Sequence, residues 1–71
     1  MERLLRYSVE HSRQIRLIWQ DDAGKMYQSN VQVLRYDAQS LTCLVMRPKH
    51  EETIPLAMVL AADFRKGDDG T

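Results

Sequence analysis

Apolar and polar residues change their spacing once along this chain, from a helical period to an alternating one. Near the start, the less polar positions recur at i, i+3, i+4, i+7 and i+8, as a narrow stripe of Met1, Leu4, Leu5, Ser8 and Val9. This spacing predicts a helix over residues 2–11. From Gln14 onwards short apolar-rich runs alternate with tight polar turns, which predicts strands near 14–20, 25–36, 40–47, 52–54 and 58–64.

The polar segments between these runs predict how the strands are connected. Gly24 supplies the positive φ that the hairpin loop 21–25 requires, and Asp37 is suited to cap the backbone of the turn 37–40. Residues 47–52 contain Pro48 and four charged side chains, which predicts a loop, and Pro55 predicts a single helical turn over 55–58. The long second strand is least apolar at Ser29 and Asn30, where we expect a sharp bend.

These elements predict one mainly β domain. The expected architecture is a five-stranded, strongly bent antiparallel barrel of the SH3-like or Sm-like kind, occupying residues 14–64 and preceded by the single helix. Residues 65–71 lack large apolar side chains and are predicted to form a disordered tail. A chain of 71 residues buries little surface, so self-association is a reasonable source of additional burial.

Composition narrows the functional classes. Ten basic and ten acidic residues give a net charge of zero, whereas dedicated nucleic-acid-binding proteins usually carry a basic excess. A single cysteine, Cys43, excludes an internal disulfide and favours a reducing compartment. Charges interrupt the first six residues, where a signal peptide would be apolar, and no run is long enough for a membrane span. The sequence therefore predicts a cytoplasmic protein without a membrane partner.

Several segments together resemble a bacterial family. The helix is followed by Arg16-Leu17-Ile18-Trp19, an Asp-Gly type loop, the run 31–37, the apolar run 41–46 and the closing segment Ile-Pro-Leu-Ala-Met-Val-Leu at 54–60. This order resembles the YolD-like proteins and the related WYL domains, over about residues 4–64. Ala57 and Met58 replace acidic residues that are common in that closing segment, and residues 41–45 lack the Trp-Tyr-Leu signature.

The resemblance implies a small Sm-like or SH3-like barrel with a regulatory or accessory role. WYL domains sense ligands or nucleic acids within transcription regulators, and YolD-like proteins are often encoded near DNA-repair polymerases. This sequence has no DNA-reading domain beside the barrel. The resemblance therefore implies that the chain is the sensing or adaptor part alone.

Groups suited to catalysis or metal binding are sparse. His11 is expected to lie at the helix C-terminus, where a cation is favoured, and Cys43 sits within an apolar strand as a small hydrophobic residue. The run Lys49-His50-Glu51-Glu52 lacks a second cluster at metal-ligand spacing and is interpreted as a solvated hairpin tip. We therefore expect a non-enzyme without a cofactor or bound metal.

Two binding hypotheses remain. The third strand is apolar on both faces, which predicts a homo-oligomer or protein partner covering a patch of Ile18, Leu34, Tyr36, Leu44 and Met46. The alternative is an Sm-like nucleic-acid-binding protein whose phosphate contacts come from Arg3, Arg6, Arg13 and Arg16. Trp19 shares a strand face with Ile15 and Leu17, which favours core packing over ligand stacking. Tyr36, expected on the face opposite Val33, is the better surface aromatic.

Overall fold

The computed structural model describes residues 1–65 and contains one helix followed by five antiparallel strands in one sheet. Helix α1 spans Glu2–His11. The strands are β1 (Gln14–Gln20), β2 (Met26–Tyr36), β3 (Ser40–Met46), β4 (Lys49–Pro55) and β5 (Val59–Phe64), with a 3₁₀ turn, η1, at Leu56–Met58. The helix, the mainly β fold and the single turn after Pro55 are confirmed. The predicted tail lies outside the described residues except for Arg65, which donates a hydrogen bond to Gln14.

The spatial order of the strands is β4-β3-β2-β1-β5, so β4 and β5 are the two edges of the sheet. Four strand spacings would separate these edges by about 19 Å in a flat sheet. Only η1 connects Pro55 to Val59, and such a segment reaches about 14 Å even when fully extended. The sheet must therefore curl, although β4 and β5 do not pair among residues 1–65 and the sheet is not closed.

Strand β4 begins earlier than the sequence predicted. Its register pairs Met46 with Lys49 and Val45 with His50, so the predicted loop 47–52 contracts to a turn of Arg47 and Pro48, joined by a cis peptide bond. The charged residues of this segment predicted a loop. They belong instead to an edge strand, and edge strands commonly carry exposed charged side chains. The prediction of a short strand at 52–54 is therefore wrong in extent.

The buried core lies on the concave, inner face of the sheet. Alternate residues of β1, β2 and β3 reach it, and β4 and α1 add one residue each. The core consists of Leu5, Ile15, Leu17, Trp19, Val31, Val33, Leu41, Cys43, Val45 and Ile54. Of the apolar residues in the helix stripe, only Leu5 is buried; Leu4 is half-buried, and Met1 and Val9 are exposed. The helix packs mainly against β2.

A buried hydroxyl joins the helix to the sheet. β1 pairs with β2 only as far as Gln14 and Gln32, and the N–H of the next residue, Val33, donates to Ser8 Oγ at 2.9 Å. The Ser8 hydroxyl in turn donates to the carbonyl oxygen of Arg13. Ser8 is fully buried, so its position in the helix stripe serves hydrogen bonding rather than apolar packing.

The pairing of β2 with β3 is irregular between Val33 and Arg35. One additional residue on β2 shifts the alternation, and Tyr36 becomes the partner of Leu41 and packs against the core. The sequence predicted Tyr36 on the face opposite Val33 because strict alternation was assumed. The irregularity also lies further along β2 than the bend expected at Ser29 and Asn30.

Candidate functional site

A groove runs along the inner face at one end of the sheet. It lies between the β1–β2 hairpin, the β3–β4 hairpin and η1, with a cavity volume of about 440 Å³. The residues that define it here are Trp19, Tyr27, His50, Glu52, Ile54 and Met58. Its volume falls in the range of roughly 300–1,000 Å³ that is typical of ligand sites. We call this feature the groove.

Two stacked aromatic rings form one wall of the groove. Trp19 and Tyr27 are register partners on β1 and β2, with ring centroids 5.5 Å apart and planes inclined by 18°. Trp19 is 6% exposed and Tyr27 is 36% exposed. Trp19 therefore belongs to the core, as predicted, and also supports the more accessible Tyr27.

The carboxylate of Asp21 holds Tyr27 and the hairpin loop in place. One Asp21 oxygen accepts from the backbone N–H groups of Ala23 and Lys25, each at 2.9 Å, and the other accepts from the Tyr27 hydroxyl at 3.0 Å. The backbone hydrogen bond from Lys25 and then that from Tyr27 lower the pKa of Asp21. The hydrogen bond to Asp21 is also the main reason that the pKa of Tyr27 is raised. Tyr27 is therefore a neutral, oriented ring at neutral pH.

His50 and Glu52 form the opposite wall, on the side of β4 that faces the core. His50 pairs with Val45 and Glu52 pairs with Cys43, and the His50 Nε2 atom lies 2.9 Å from Glu52 Oε1. The other ring nitrogen, Nδ1, contacts the carbonyl oxygen of Pro48. Both contacts are made to acceptors, and only an imidazolium has two N–H donors. The backbone contact with Pro48 and the Glu52 carboxylate accordingly raise the pKa of His50.

The charge of Glu52 reaches both sides of the groove. Burial, followed by the Glu52 charge, raises the pKa of Cys43 to about 12. The same carboxylate makes a smaller contribution to the raised pKa of Tyr27, after Asp21 and burial. Glu52 is therefore an anionic group on an otherwise largely apolar inner face. Sequence analysis missed it because the residues 49–52 were interpreted as a loop, although the alternation His50, Glu52, Ile54 was a usable signal.

The five residues predicted to form an apolar patch do not lie on one surface. Ile18 is on the outer face of β1, and its register partners are Gln28 and Ala61. Leu44 and Met46 are half-buried on the outer face of β3, with Gln32 opposite Leu44. Leu34 is 37% exposed at the irregularity in β2. Polar side chains of β2 thus lie between Ile18 and the β3 pair.

The four arginines predicted to contact phosphate are exposed and lie on three parts of the chain: Arg3 and Arg6 on α1, Arg13 before β1, and Arg16 on β1. A hydrogen bond with Tyr36, followed in size by one with Glu2, raises the pKa of Arg6. Its Nη2 atom lies 3.5 Å from Glu2 Oε2. Arg16 is opposite Asp63 in the β1–β5 register.

Other candidate features are limited. His11 ends α1 and its ring centroid lies 5.3 Å from that of Tyr7. Within residues 1–65, no group of three or more His, Cys, Asp or Glu side chains is arranged to hold a metal ion. In the same part of the chain, the helix is neither long nor apolar enough to cross a membrane. A second cavity of about 420 Å³ lies between the start of α1 and the β2–β3 turn, beside Leu5, Tyr36 and Leu56.

Comparisons with known proteins found no matching family model, curated protein or solved structure. The resemblance to YolD-like proteins and WYL domains therefore stays a prediction from sequence.

Proposed function

We propose that this protein is a non-catalytic regulatory or adaptor module that binds an extended segment of a partner protein in the groove. The carrying observation is the fixed aromatic wall, in which the Tyr27 ring is stacked on buried Trp19 and hydrogen-bonded to Asp21. Rings that are held before the ligand arrives offer contact area at little entropic cost. Small β-barrel domains commonly bind extended peptides in aromatic-lined grooves.

The shape and lining of the groove favour a chain segment as its ligand. It extends from the hairpin loop at Asp21 to η1 at Met58, and both apolar side chains and the polar side chains of His50 and Glu52 line it. A peptide segment likewise presents both apolar and polar groups along its length. The proposed architecture is an SH3-like or Sm-like barrel, which the strand order and the short link through η1 support.

Selection from a displayed library of random peptides tests this proposal. We expect selected peptides to perturb the NMR signals of Trp19, Tyr27 and Met58, and to bind Tyr27→Ala at least about tenfold more weakly, because that change removes an aromatic anchor. Met26→Ala is the matched control, since Met26 is adjacent in β2, 64% exposed and outside the groove. Peptides that bind both variants equally, or a failure to select any peptide, would contradict the proposal.

Self-association is a second proposal, favoured by the half-buried pair Leu44 and Met46 on the outer face of β3. A second copy that covers this pair would also lie beside β4, the edge strand next to β3, and could protect it. Sedimentation equilibrium at micromolar concentration should give a mass above the 8.3 kDa of one chain, and Leu44→Lys should return it to that value. A monomer for both proteins would end this proposal.

The nucleic-acid alternative, which depends on Arg3, Arg6, Arg13 and Arg16, stays a prediction. Phosphate contacts would make binding to single-stranded DNA or RNA fall steeply with salt concentration. Absence of binding at low salt would exclude it.

A further inference from the structure

We infer that the groove holds a cationic side chain, arginine or lysine, of the bound segment between the Tyr27 ring and the Glu52 carboxylate, in competition with His50. This inference rests on the proposed function and specifies its ligand chemistry. It has four supports: the charge of the lining, the aromatic wall, the position of Glu52 and the hydrogen-bond demands of His50.

The lining of the groove carries more negative than positive charge. Its carboxylates are Asp21, Asp22 and Glu52, and its one guanidinium is that of Arg47. Asp21 is engaged with the hairpin loop and Tyr27, whereas Glu52 has its hydrogen-bonding partner in His50 alone among the interactions described for residues 1–65. A cation entering this space is attracted by the lining, and an anion is repelled.

The aromatic wall already attracts a cation. The Nζ atom of Lys25 lies 5.4 Å from the centroid of the Tyr27 ring, within the distance of about 6 Å over which a ring face attracts an ammonium group. Stacking on Trp19 and the hydrogen bond to Asp21 fix the ring that makes this contact. Because Trp19 stacks on one face of the ring, a ligand guanidinium or ammonium group beside Glu52 takes the place of the exposed Lys25 ammonium.

His50 determines when Glu52 is available. As an imidazolium, His50 donates one N–H to Glu52 and the other to the Pro48 carbonyl. Once His50 loses its proton, a single N–H remains for two acceptors, and the Glu52 carboxylate loses a positive partner. A ligand cation replaces that partner, so cation binding becomes tighter as pH rises.

Three neighbours of this pair, Asp21, Tyr27 and Cys43, have shifted pKa values that hold their charge state across the relevant range. Asp21, with its lowered pKa, and Tyr27, with its raised pKa, face His50 and Glu52 from the hairpin. Asp22 and Arg47 also line the groove, and Cys43, opposite Glu52, stays a neutral thiol because its pKa is about 12. His50 is consequently the group that changes charge between mildly acidic and mildly basic pH.

The test uses N-acetyl-arginine-N-methylamide as probe and the citrulline analogue as its neutral, nearly isosteric control. Aromatic and methyl ¹³C NMR signals of Trp19, Tyr27 and Met58 report binding to the groove. We expect the arginine probe to bind about tenfold more tightly than the citrulline probe at about pH 8.5, and the preference to shrink at about pH 5.5, where His50 is protonated.

Three variants separate the roles of the charges. Glu52→Gln should abolish the preference for arginine, and His50→Gln should abolish its pH dependence. Glu51→Gln is the matched control, because Glu51 is the neighbouring carboxylate, is exposed and pairs with Leu44 on the outer face. Glu51→Gln should leave both properties unchanged.

The outcomes distinguish this inference from the proposed function. Equal binding of the two probes, or equal losses in Glu52→Gln and Glu51→Gln, would overturn the cation site. If library-selected peptides still map to the groove in that case, the peptide-binding function stands without it. If neither peptides nor probes perturb the groove signals, both are wrong.

Discussion

The hydroxyl of Ser8 is expected to contribute a large part of the stability of this domain. Ser8→Ala removes the acceptor for the Val33 N–H and the donor for the Arg13 carbonyl, while keeping the helix backbone intact. Val33 is 1% exposed, so water cannot readily replace the lost partner. A buried backbone donor left without a partner costs about 1–3 kcal/mol, and the second hydrogen bond adds about 0.5–1.5 kcal/mol.

Alanine has the higher helix propensity, which offsets about 0.5 kcal/mol of this loss. The expected net decrease in the free energy of unfolding is therefore about 1–4 kcal/mol. A domain of this length is expected to have a total of about 4–11 kcal/mol. The hydroxyl of Ser8 thus accounts for a substantial share of the free energy of unfolding of the domain.

Urea unfolding, followed by the fluorescence of Trp19 and by circular dichroism, measures this change. We expect the urea concentration at the unfolding midpoint to fall. The slope of the free energy of unfolding against urea concentration should change little, because the surface exposed on unfolding stays similar. Ser29→Ala is the control, since the Ser29 hydroxyl donates only to the exposed Asn30 carbonyl. If the free energy of unfolding of Ser8→Ala lies within about 0.5 kcal/mol of the wild-type value, another acceptor binds the Val33 N–H and the reasoning is wrong.

Three further predictions concern single residues. Trp19→Ala should destabilise the domain by about 3–5 kcal/mol, because it removes a core side chain that is 6% exposed; a folded, equally stable variant in thermal unfolding would contradict its place in the core. Cys43, with a pKa of about 12 and no exposure, should resist a thiol reagent at pH near 8 and react once urea unfolds the protein; rapid reaction in native buffer would contradict its burial. Ser12, at φ 51° and ψ 44°, should be replaceable by glycine with a gain of about 0.5–1 kcal/mol, since relief of left-handed strain exceeds the added unfolded-state entropy; a lower melting temperature would refute this.

The raised pKa of Cys43 also predicts that the stability of the domain depends on pH. Its folded-state pKa is raised above the unfolded value, so its contribution to stability is complete below the unfolded pKa and is lost as pH rises towards about 12. Stability measured by urea unfolding should consequently decline above about pH 9 more steeply in the wild type than in Cys43→Ala.

Much of the fold followed from the local pattern. The helical spacing of apolar residues predicted α1, short apolar-rich runs between polar turns predicted β1, β2, β3 and β5, and Gly24, Asp37 and Pro55 indicated the turns. Gly24 has a φ of 84°, and the Asp37 carboxylate accepts from the Gln39 and Ser40 N–H groups. These features were predictable because each depends on residues within a few positions of one another.

The groove was not predictable in this way, because pairing between distant strands creates it. Tyr27 reaches Trp19 through the β1–β2 register, and His50 and Glu52 face the core only because an exposed, charged segment pairs with β3 as an edge strand. The irregularity after Val33 similarly turned Tyr36 towards the core. The sequence determined which segments are helical or extended, since local apolar spacing sets that choice. The tertiary structure decided which side chains meet, since strand register depends on hydrogen bonds and packing between segments far apart in the chain.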